Sequence, residues 1–234
     1  MHKKLIFAEA VIQFFRELEF NGLLPSGVSV MNPFRDNPHI MPVISQFYRK
    51  FYDDCNPRYL ILGINPGRFG AGVTGIPFTD SKRLSEKCGL SVPGLNTFET
   101  SSVYFYEMIE AFGGVEKFYK IFFISAVCPL GFTTINSKGK SVNYNYYDNS
   151  KLTDAVSDFI IETLTIQLGF GIERHICFCL GTGKNYKFLD HLNKKLNFFN
   201  KIIPLEHPRF IMQYKSKQKH FYIERYIEEF RYAK

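Results

Sequence analysis

The sequence of 234 residues has no tryptophan, few cysteines and no apolar run long enough to cross a bilayer. The five cysteines are Cys55, Cys88, Cys128, Cys177 and Cys179. Their odd number and unpaired spacing give no basis for a disulfide framework or a zinc site. The short apolar stretch near the N-terminus also contains Glu9 and Glu17, so we expect no signal peptide. These absences favour a soluble, cytoplasmic protein with no structural metal.

The composition is that of a folded domain with a moderate excess of positive charge. Hydrophobic residues make up 45% of the chain and charged residues 22%, which excludes disorder. The 29 Lys and Arg against 22 Asp and Glu give a formal charge of +7, which attracts polyanions but is weak evidence alone. The 25 Phe and 14 Tyr belong mostly to the core, although some could stack on nucleic-acid bases.

Alternating apolar runs and helical patterns predict the fold class. The predicted strands cover residues 58–64, 120–127, 175–180 and 201–205, and the predicted helices cover 5–20, 43–53, 101–112, 152–168, 184–197 and 217–232. The Gly-, Pro- and Asn-rich segment 21–42 is expected to be irregular. We expect one domain over residues 1–234, a three-layer α/β/α sandwich around a central, mainly parallel four-stranded sheet.

Ligands of open parallel sheets bind beyond the carboxyl ends of the strands. Asn65 follows the first predicted strand and His207 follows the last, so both residues are expected at one edge of the sheet. A tight turn would explain Asn65-Pro66-Gly67 alone, and a structural role would explain the histidine alone. Two polar groups directed at one crevice nevertheless indicate a functional site.

Several motifs resemble those of a known family. Residues 63–78, GINPGRFGAGVTGIPF, resemble the first motif of the uracil-DNA glycosylase superfamily in its single-strand-selective monofunctional branch. That branch has G-x-N-P-G-x-F-G followed by T-G-x-P-F. The dipeptides 207–208 (HP), 128–129 (CP) and 32–33 (NP) resemble further motifs of the family. The resemblance covers about residues 30–215, most of the chain.

The resemblance implies a catalytic pair, Asn65 and His207. The carboxamide of Asn65 cannot act as a general base at neutral pH, but it can orient a water molecule. His207 would donate a hydrogen bond to a pyrimidine carbonyl oxygen and stabilise the departing base anion. Because the matched motifs contain no lysine that could form a Schiff base, we expect no lyase activity.

The base pocket implied by the resemblance departs from the family at one position. The expected pocket residues are Gly63, Ile64, Gly67, Phe69, Ala71, Phe78, Ser125, Ala126 and Asn143. The ring of Phe78 would stack on the extruded base, and Gly67 and Ala71 leave room for a 5-substituted uracil. The family places an asparagine that reads uracil where this chain has Ala126. Base reading must then come from the backbone, from Ser125 or from residues 143–147.

The segment after the His-Pro pair is expected to enter DNA. Pro208, Arg209 and Phe210 would form a wedge loop that fills the gap left by a flipped base. Packing on the last helix is the alternative for Ile211 and Met212. Phosphate contacts are expected from Gly183, Lys184, Lys215, Lys217 and Lys219.

These features predict a monofunctional DNA glycosylase that removes uracil or 5-substituted uracils in base excision repair. We expect it to act as a monomer on DNA, without a cofactor and without a membrane. Two alternatives stay open. Ala126 is compatible with a non-catalytic nucleic-acid-binding domain of the same fold, and a nucleotide or nucleoside hydrolase would use the same pocket without needing a wedge.

Overall fold

The computed structural model describes residues 6–233 of the chain. Within this range the strands are β1 (Val28–Met31), β2 (Arg58–Gly63), β3 (Phe122–Ala126), β4 (Gly131–Ile135), β5 (Ser141–Tyr144), β6 (Ile172–Leu180) and β7 (Lys201–Leu205). The helices are α1 (Phe7–Glu17), α2 (Pro33–Asp36), α3 (Ile40–Tyr52), α4 (Ala71–Thr74), α5 (Ser81–Cys88), α6 (Thr100–Phe112), α7 (Val115–Ile121), α8 (Ser150–Leu168), α9 (Lys184–Leu196), α10 (Pro208–Tyr214) and α11 (Lys219–Phe230). Residues 1–5 and 234, with Leu5 of the expected first helix, lie outside the described range.

The central sheet has the strand order β3-β2-β6-β7, and all three pairings are parallel. This arrangement confirms the predicted fold class. The strands are continuous apolar runs because both faces of the sheet are covered; Leu60, Ile61 and Leu62 of β2 are each fully buried. Their boundaries differ slightly from the prediction, since α7 continues to Ile121 and β6 begins at Ile172.

Helices cover both faces of this sheet, and successive residues of β3 show the two layers. The Phe122 ring lies 4.6 Å from that of Phe230 on α11, whereas the Phe123 ring lies 5.3 Å from that of Phe7 on α1. Side chains of a strand alternate between faces, so α11 lies on one side of the sheet and α1 on the other. The aromatic residues thus serve mainly as core.

A second, antiparallel sheet with the order β1-β4-β5 is a feature that the sequence prediction missed. Segment 21–42, expected to be irregular, contains β1, α2 and the start of α3. The pairing Phe132↔Tyr144 joins the neighbouring strands β4 and β5, and the pairing Val28↔Thr134 adds the distant strand β1. Each of these strands is short, and β1 and β5 are half-exposed. They therefore lack the continuous apolar run by which the central strands were recognised.

A buried ion pair fixes the start of α5 and the residue that precedes α6. Asp80 is fully buried and accepts hydrogen bonds from the Arg83 backbone N–H at 2.8 Å and from the Arg83 guanidinium at 2.9 and 2.6 Å. Its Oδ2 also accepts from the backbone N–H of Glu99 at 2.7 Å. One carboxylate therefore joins two helix starts beside the carboxyl edge of the sheet.

We expect Asp80→Ala to lower the free energy of unfolding by about 3–5 kcal/mol, because it leaves the buried Arg83 guanidinium without its partner. Glu86→Ala is the matched control. It removes an exposed i,i+4 partner of Lys82 at 3.8 Å and should cost less than about 1 kcal/mol. Urea unfolding of both variants measures the difference, and equal midpoint shifts would contradict this account of the buried pair.

Candidate active site

A cleft of about 660 Å³ opens at the carboxyl ends of the four central strands. The expected site residues that line it are Gly63, Ile64, Asn65, Gly67, Ala71, Phe78, Ser125, Ala126, Asn143, Gly183, Lys184, His207, Arg209 and Phe210. The set comes from the ends of β2 and β3, from β5 and from the segments after β2, β6 and β7. The parallel arrangement of the strands thus brings together residues that lie as much as 147 positions apart, from Gly63 to Phe210.

Five expected residues lie outside the lining of this cleft. Phe69 is 48% exposed, and the Arg68 guanidinium lies 4.3 Å from the centre of its ring. Pro208 is buried as the first residue of α10. Lys215 and Lys217 are exposed on the surface beyond α10. Lys219 is half-buried, and its Nζ pairs with Glu107 at 2.6 Å.

The carboxamide of Asn65 is fixed by two backbone groups, one at the last residue of β5 and one just beyond that strand. Its Oδ1 accepts from the N–H of Tyr146 at 3.1 Å, and its Nδ2 donates to the carbonyl oxygen of Tyr144 at 3.3 Å. A backbone N–H can only donate and a backbone C=O can only accept, so the two contacts distinguish the amide oxygen from the nitrogen. The second lone pair of Oδ1 remains available to accept a hydrogen bond from a water molecule.

Asn185, which the sequence prediction missed, supports this arrangement from α9. Its Oδ1 accepts from the Tyr146 hydroxyl at 2.8 Å, and its Nδ2 donates to the carbonyl oxygens of Leu180 at 3.0 Å and Gly63 at 3.3 Å. The side chain is 1% exposed. A buried carboxamide with these partners joins the ends of β2 and β6 to the segment that holds Asn65. Position 185 directly follows Gly183 and Lys184, for which the sequence analysis had expected only phosphate contacts.

His207 is the N-cap residue of α10 and is fixed as a neutral donor. Its Nδ1 accepts from the backbone N–H of Arg209 at 3.1 Å, so the proton of the neutral ring is on Nε2. Burial lowers the pKa of His207 to about 4, and the nearby charge of Arg209 acts in the same direction. The imidazole can therefore donate one hydrogen bond from Nε2 without carrying a positive charge.

Phe78 has a left-handed backbone conformation, with φ 52°, that is unusual for a non-glycine residue. Its ring stacks on Phe105 at 4.7 Å and lies 5.5 Å from the imidazole of His207. Hydrogen bonds around the turn hold this conformation; the Thr74 hydroxyl donates to the carbonyl oxygen of Thr79 at 2.6 Å. Strained backbone of this kind is maintained at sites where a side chain must be positioned.

Two polar side chains, those of Asn143 and Glu99, line the cleft, whereas Ala126 offers no hydrogen-bonding group. Asn143, on β5, accepts from the backbone N–H of Arg68 at 3.0 Å through its Oδ1, which leaves its Nδ2 without a hydrogen-bond partner among residues 6–233. Glu99 also lines the cleft, and burial raises the pKa of its carboxyl group. The sequence analysis had not identified Glu99 as a site residue.

The expected wedge loop is in fact helix α10. Pro208 is its first residue and His207 its N-cap, and the helix packs against α6 through the fully buried Ile211. A proline at this position is favourable because its missing N–H would have no partner in the helix. Arg209 and Phe210 remain exposed at the mouth of the cleft, and Phe210 lies 5.5 Å from the ring of Tyr214.

Within residues 6–233 no group of three or more His, Cys, Asp or Glu is arranged to hold a metal ion. Burial raises the pKa of the Cys128 and Cys179 thiols to about 12, so both remain protonated at neutral pH. No helix in this part of the chain combines the length and apolar character that crossing a bilayer requires.

The parallel α/β/α fold, with its cleft at the carboxyl edge of the sheet, matches the fold of the uracil-DNA glycosylases. The family model described as the Uracil DNA glycosylase superfamily matches residues 49–231, and the chain belongs to this superfamily. It is similar to a solved structure described as wild-type Pedobacter heparinus SMUG2, with 56% identity, a TM-score of 0.94 and coverage of 96% of this chain and 97% of that one. A comparison with curated proteins found no match. These findings confirm the expected branch and a function of the uracil-DNA glycosylase type.

We expect the His207 ring to stay neutral down to about pH 4. The unfolded chain then binds this proton more readily, so stability should fall as the pH drops from about 6.5 toward 4. An NMR titration should follow the ring signal that disappears in His207→Gln, and this signal should show no midpoint between about pH 5 and 8. A midpoint near the ordinary imidazole value would show that burial does not control this group.

Proposed function

We propose that the chain is a monofunctional DNA glycosylase that hydrolyses the N-glycosidic bond of uracil and 5-substituted uracils in DNA. The observation that carries the proposal is the pairing, in one cleft, of an amide fixed by two backbone groups and an imidazole fixed as a neutral donor. Both groups are suited to a reaction in which the glycosidic bond breaks before water attacks, because neither has to remove a proton at the start.

In this mechanism the base departs as an anion and leaves an oxocarbenium-like sugar. The Nε2–H of His207 donates to O2 of the base and stabilises the charge that develops there. The free lone pair of Asn65 Oδ1 holds a water molecule for addition to C1′ of the sugar, and the proton of that water passes to solvent. The ring of Phe78 supports the extruded base by stacking.

The exposed residues of α10 are suited to entering DNA. Arg209 and Phe210 stand at the mouth of the cleft, two and three positions after His207, the residue that we assign to the base. Lys215 and Lys217 follow on the same surface, and neither has an acidic partner among the described residues. We propose that Arg209 and Phe210 fill the gap left by the flipped base, and that the two lysines contact phosphates. Glu107 already neutralises Lys219, which therefore contributes less.

We also propose that the chain acts as a monomer and as one domain, in the cytoplasm. One continuous apolar core includes Phe7 of α1 and Phe230 of α11, at the two ends of the described range. Such a core supports a single folding unit.

Asn65→Ala and His207→Ala should each reduce single-turnover excision of uracil by about 10²–10³-fold, the effect of removing one preorganised transition-state group. DNA affinity should change far less. The assay uses uracil-containing single-stranded and duplex oligonucleotides. Alkali should be needed to break the product strand, and borohydride should trap no covalent adduct, since no lyase step is proposed.

Asn96→Ala, an exposed asparagine outside the cleft, is the control for this experiment. Near wild-type rates in both catalytic variants would show that the assigned site is wrong. Binding of uracil-containing DNA without any excision by the wild type would support the binding domain instead.

The double variant Arg209→Ala/Phe210→Ala should slow excision from duplex more than from single strands, because unstacking a base costs more in a duplex. Lys215→Ala/Lys217→Ala should instead weaken binding to both substrates. It should also flatten the dependence of log Kd on log salt by roughly 0.7–0.9 for each phosphate interaction that the substitution removes. Kd and single-turnover rates across a salt series measure both effects.

Lys219→Ala is the matched control for the lysine variant and should change the salt slope least, because Lys219 is paired with Glu107. Equal losses on both substrates for the α10 variant, together with an unchanged slope for the lysine variant, would mean that DNA approaches another surface.

A further inference from the structure

One side of the cleft is open, and the size of the cleft alone would not exclude a base with a substituent on C5. In a uracil ring C5 lies across from C2, so a base whose O2 meets His207 turns its C5 edge away from that residue, toward the loop that contains Gly67. Gly67 has no side chain to block a group on C5. A pocket that discriminates by one methyl group alone achieves only about 10- to 200-fold. Thymine, the normal DNA base, differs from uracil by that methyl group.

The carboxyl group of Glu99 occupies this side of the cleft. Its Oε1 lies 3.0 Å from the position that a Cβ on Gly67 would take, and its carboxyl carbon lies 2.8 Å from the corresponding position at Gly70. A Cβ at position 70 would overlap the carboxyl group, and a Cβ at position 67 would press tightly against its Oε1. The two glycines therefore admit Glu99 to the cleft wall.

Hydrogen bonds from neighbouring residues position Glu99 but do not neutralise its carboxyl group. Its backbone N–H is fixed by the buried Asp80 at 2.7 Å, and its Oε2 accepts from the Ser102 hydroxyl at 3.3 Å. Although Glu99 is the N-cap residue of α6, its side chain makes no capping hydrogen bond. Among residues 6–233 no lysine or arginine forms an ion pair with it. Oε1 lies beside Gly67 on the wall of the cleft, where a ligand group can reach it.

We infer that Glu99 determines specificity at the C5 position of the base, accepting a hydrogen bond from a donor group on C5 and excluding the methyl group of thymine. This inference rests on the proposed glycosylase function. A hydroxymethyl group would pair with Oε1, whereas a methyl group would displace water from the carboxyl group and offer no hydrogen bond in return.

The electrostatic environment of Glu99 agrees with this role. Burial raises the pKa of its carboxyl group, Asp80 acts in the same direction, and Ser101, Ser102 and Arg209 oppose the shift. In either protonation state a carboxyl group that loses its water needs a polar partner. A thymine methyl group cannot provide one.

Asn143 completes the edge next to Glu99. Its Nδ2 lies 3.4 Å from the same Cβ position over Gly67, and its Oδ1 is already occupied by the Arg68 N–H. The carbonyl oxygen O4 is adjacent to C5 on the ring, so Nδ2 is placed to donate to O4 while Glu99 meets the C5 substituent. Two residues from separate elements thus supply base contacts that Ala126 cannot make.

The test compares single-stranded oligonucleotides that contain uracil, 5-hydroxymethyluracil or thymine at one position. Single-turnover excision is measured for the wild type, Glu99→Ala, Glu99→Gln and the surface control Glu86→Gln. Hydroxymethyluracil and thymine differ by one hydroxyl group, so the ratio of their rates isolates the contact with that group. Glu99→Ala should lower this ratio by about 100-fold or more. Glu99→Gln keeps an acceptor oxygen and should retain most of the ratio, and Glu86→Gln should leave it unchanged.

The outcomes separate the inference from the proposed function. If Glu99→Ala lowers the rates on all three bases equally, the residue only supports the loop and the inference fails. It also fails if the wild type removes uracil but removes hydroxymethyluracil no faster than thymine, while the uracil-excising function stands. If the wild type removes no uracil from either strand form, the proposed function itself fails. Thermal unfolding of each variant shows whether a reduced rate reflects impaired folding.

Discussion

The orientation of the Asn65 carboxamide is the constraint on which the site depends. An amide can exchange its oxygen and nitrogen by a half-turn of its side chain, and only one orientation presents an acceptor to water. The N–H of Tyr146 and the carbonyl oxygen of Tyr144 select that orientation. Tyr144 is the last residue of β5 in the antiparallel sheet and Tyr146 lies just beyond it, so the orientation of a side chain after β2 of the parallel sheet is set by a different part of the chain. Asn185 then joins the two parts through the Tyr146 hydroxyl and the carbonyl oxygen of Gly63.

The sequence predicted the parts of this site that depend on local patterns, and it missed the parts that depend on contacts between residues far apart in the chain. The continuous apolar runs of the central strands are local signals, and they were enough to predict that Asn65 and His207 lie at one edge of the sheet. The β1-β4-β5 sheet has no such run, because its short strands are stabilised by partners up to about a hundred residues away. Glu99 and Asn185 had no motif; each acts through contacts that only the folded chain creates. Helix α10 was mistaken for a loop because Pro208, which usually breaks a helix, is also a favourable first residue.

Asp80 and Glu99 are carboxylic acids near the cleft, and their different surroundings give them different roles. Asp80 is fully buried, pairs with Arg83 and accepts from the backbone N–H of Glu99; its hydrogen-bonding capacity is used within the protein. Glu99 has no cationic partner among residues 6–233 and lines the cleft. The first residue therefore makes a rigid support for the second. Gly67, which the sequence analysis assigned to the base pocket, and Gly70 leave room for this side chain.

In the proposed mechanism, the neutrality of Asn65 and His207 has a consequence for how the site would accelerate the reaction. Only interactions that are stronger in the transition state than in the ground state lower the barrier. A permanently ionised histidine would attract the polyanionic DNA in every state and would spend much of its interaction on binding. A neutral Nε2–H, held by its role as a helix N-cap, interacts weakly with the carbonyl oxygen of an intact base and more strongly as that oxygen gains charge. In the proposed mechanism, the helix start at Pro208 thus links a local feature of the backbone to selective stabilisation of the departing base.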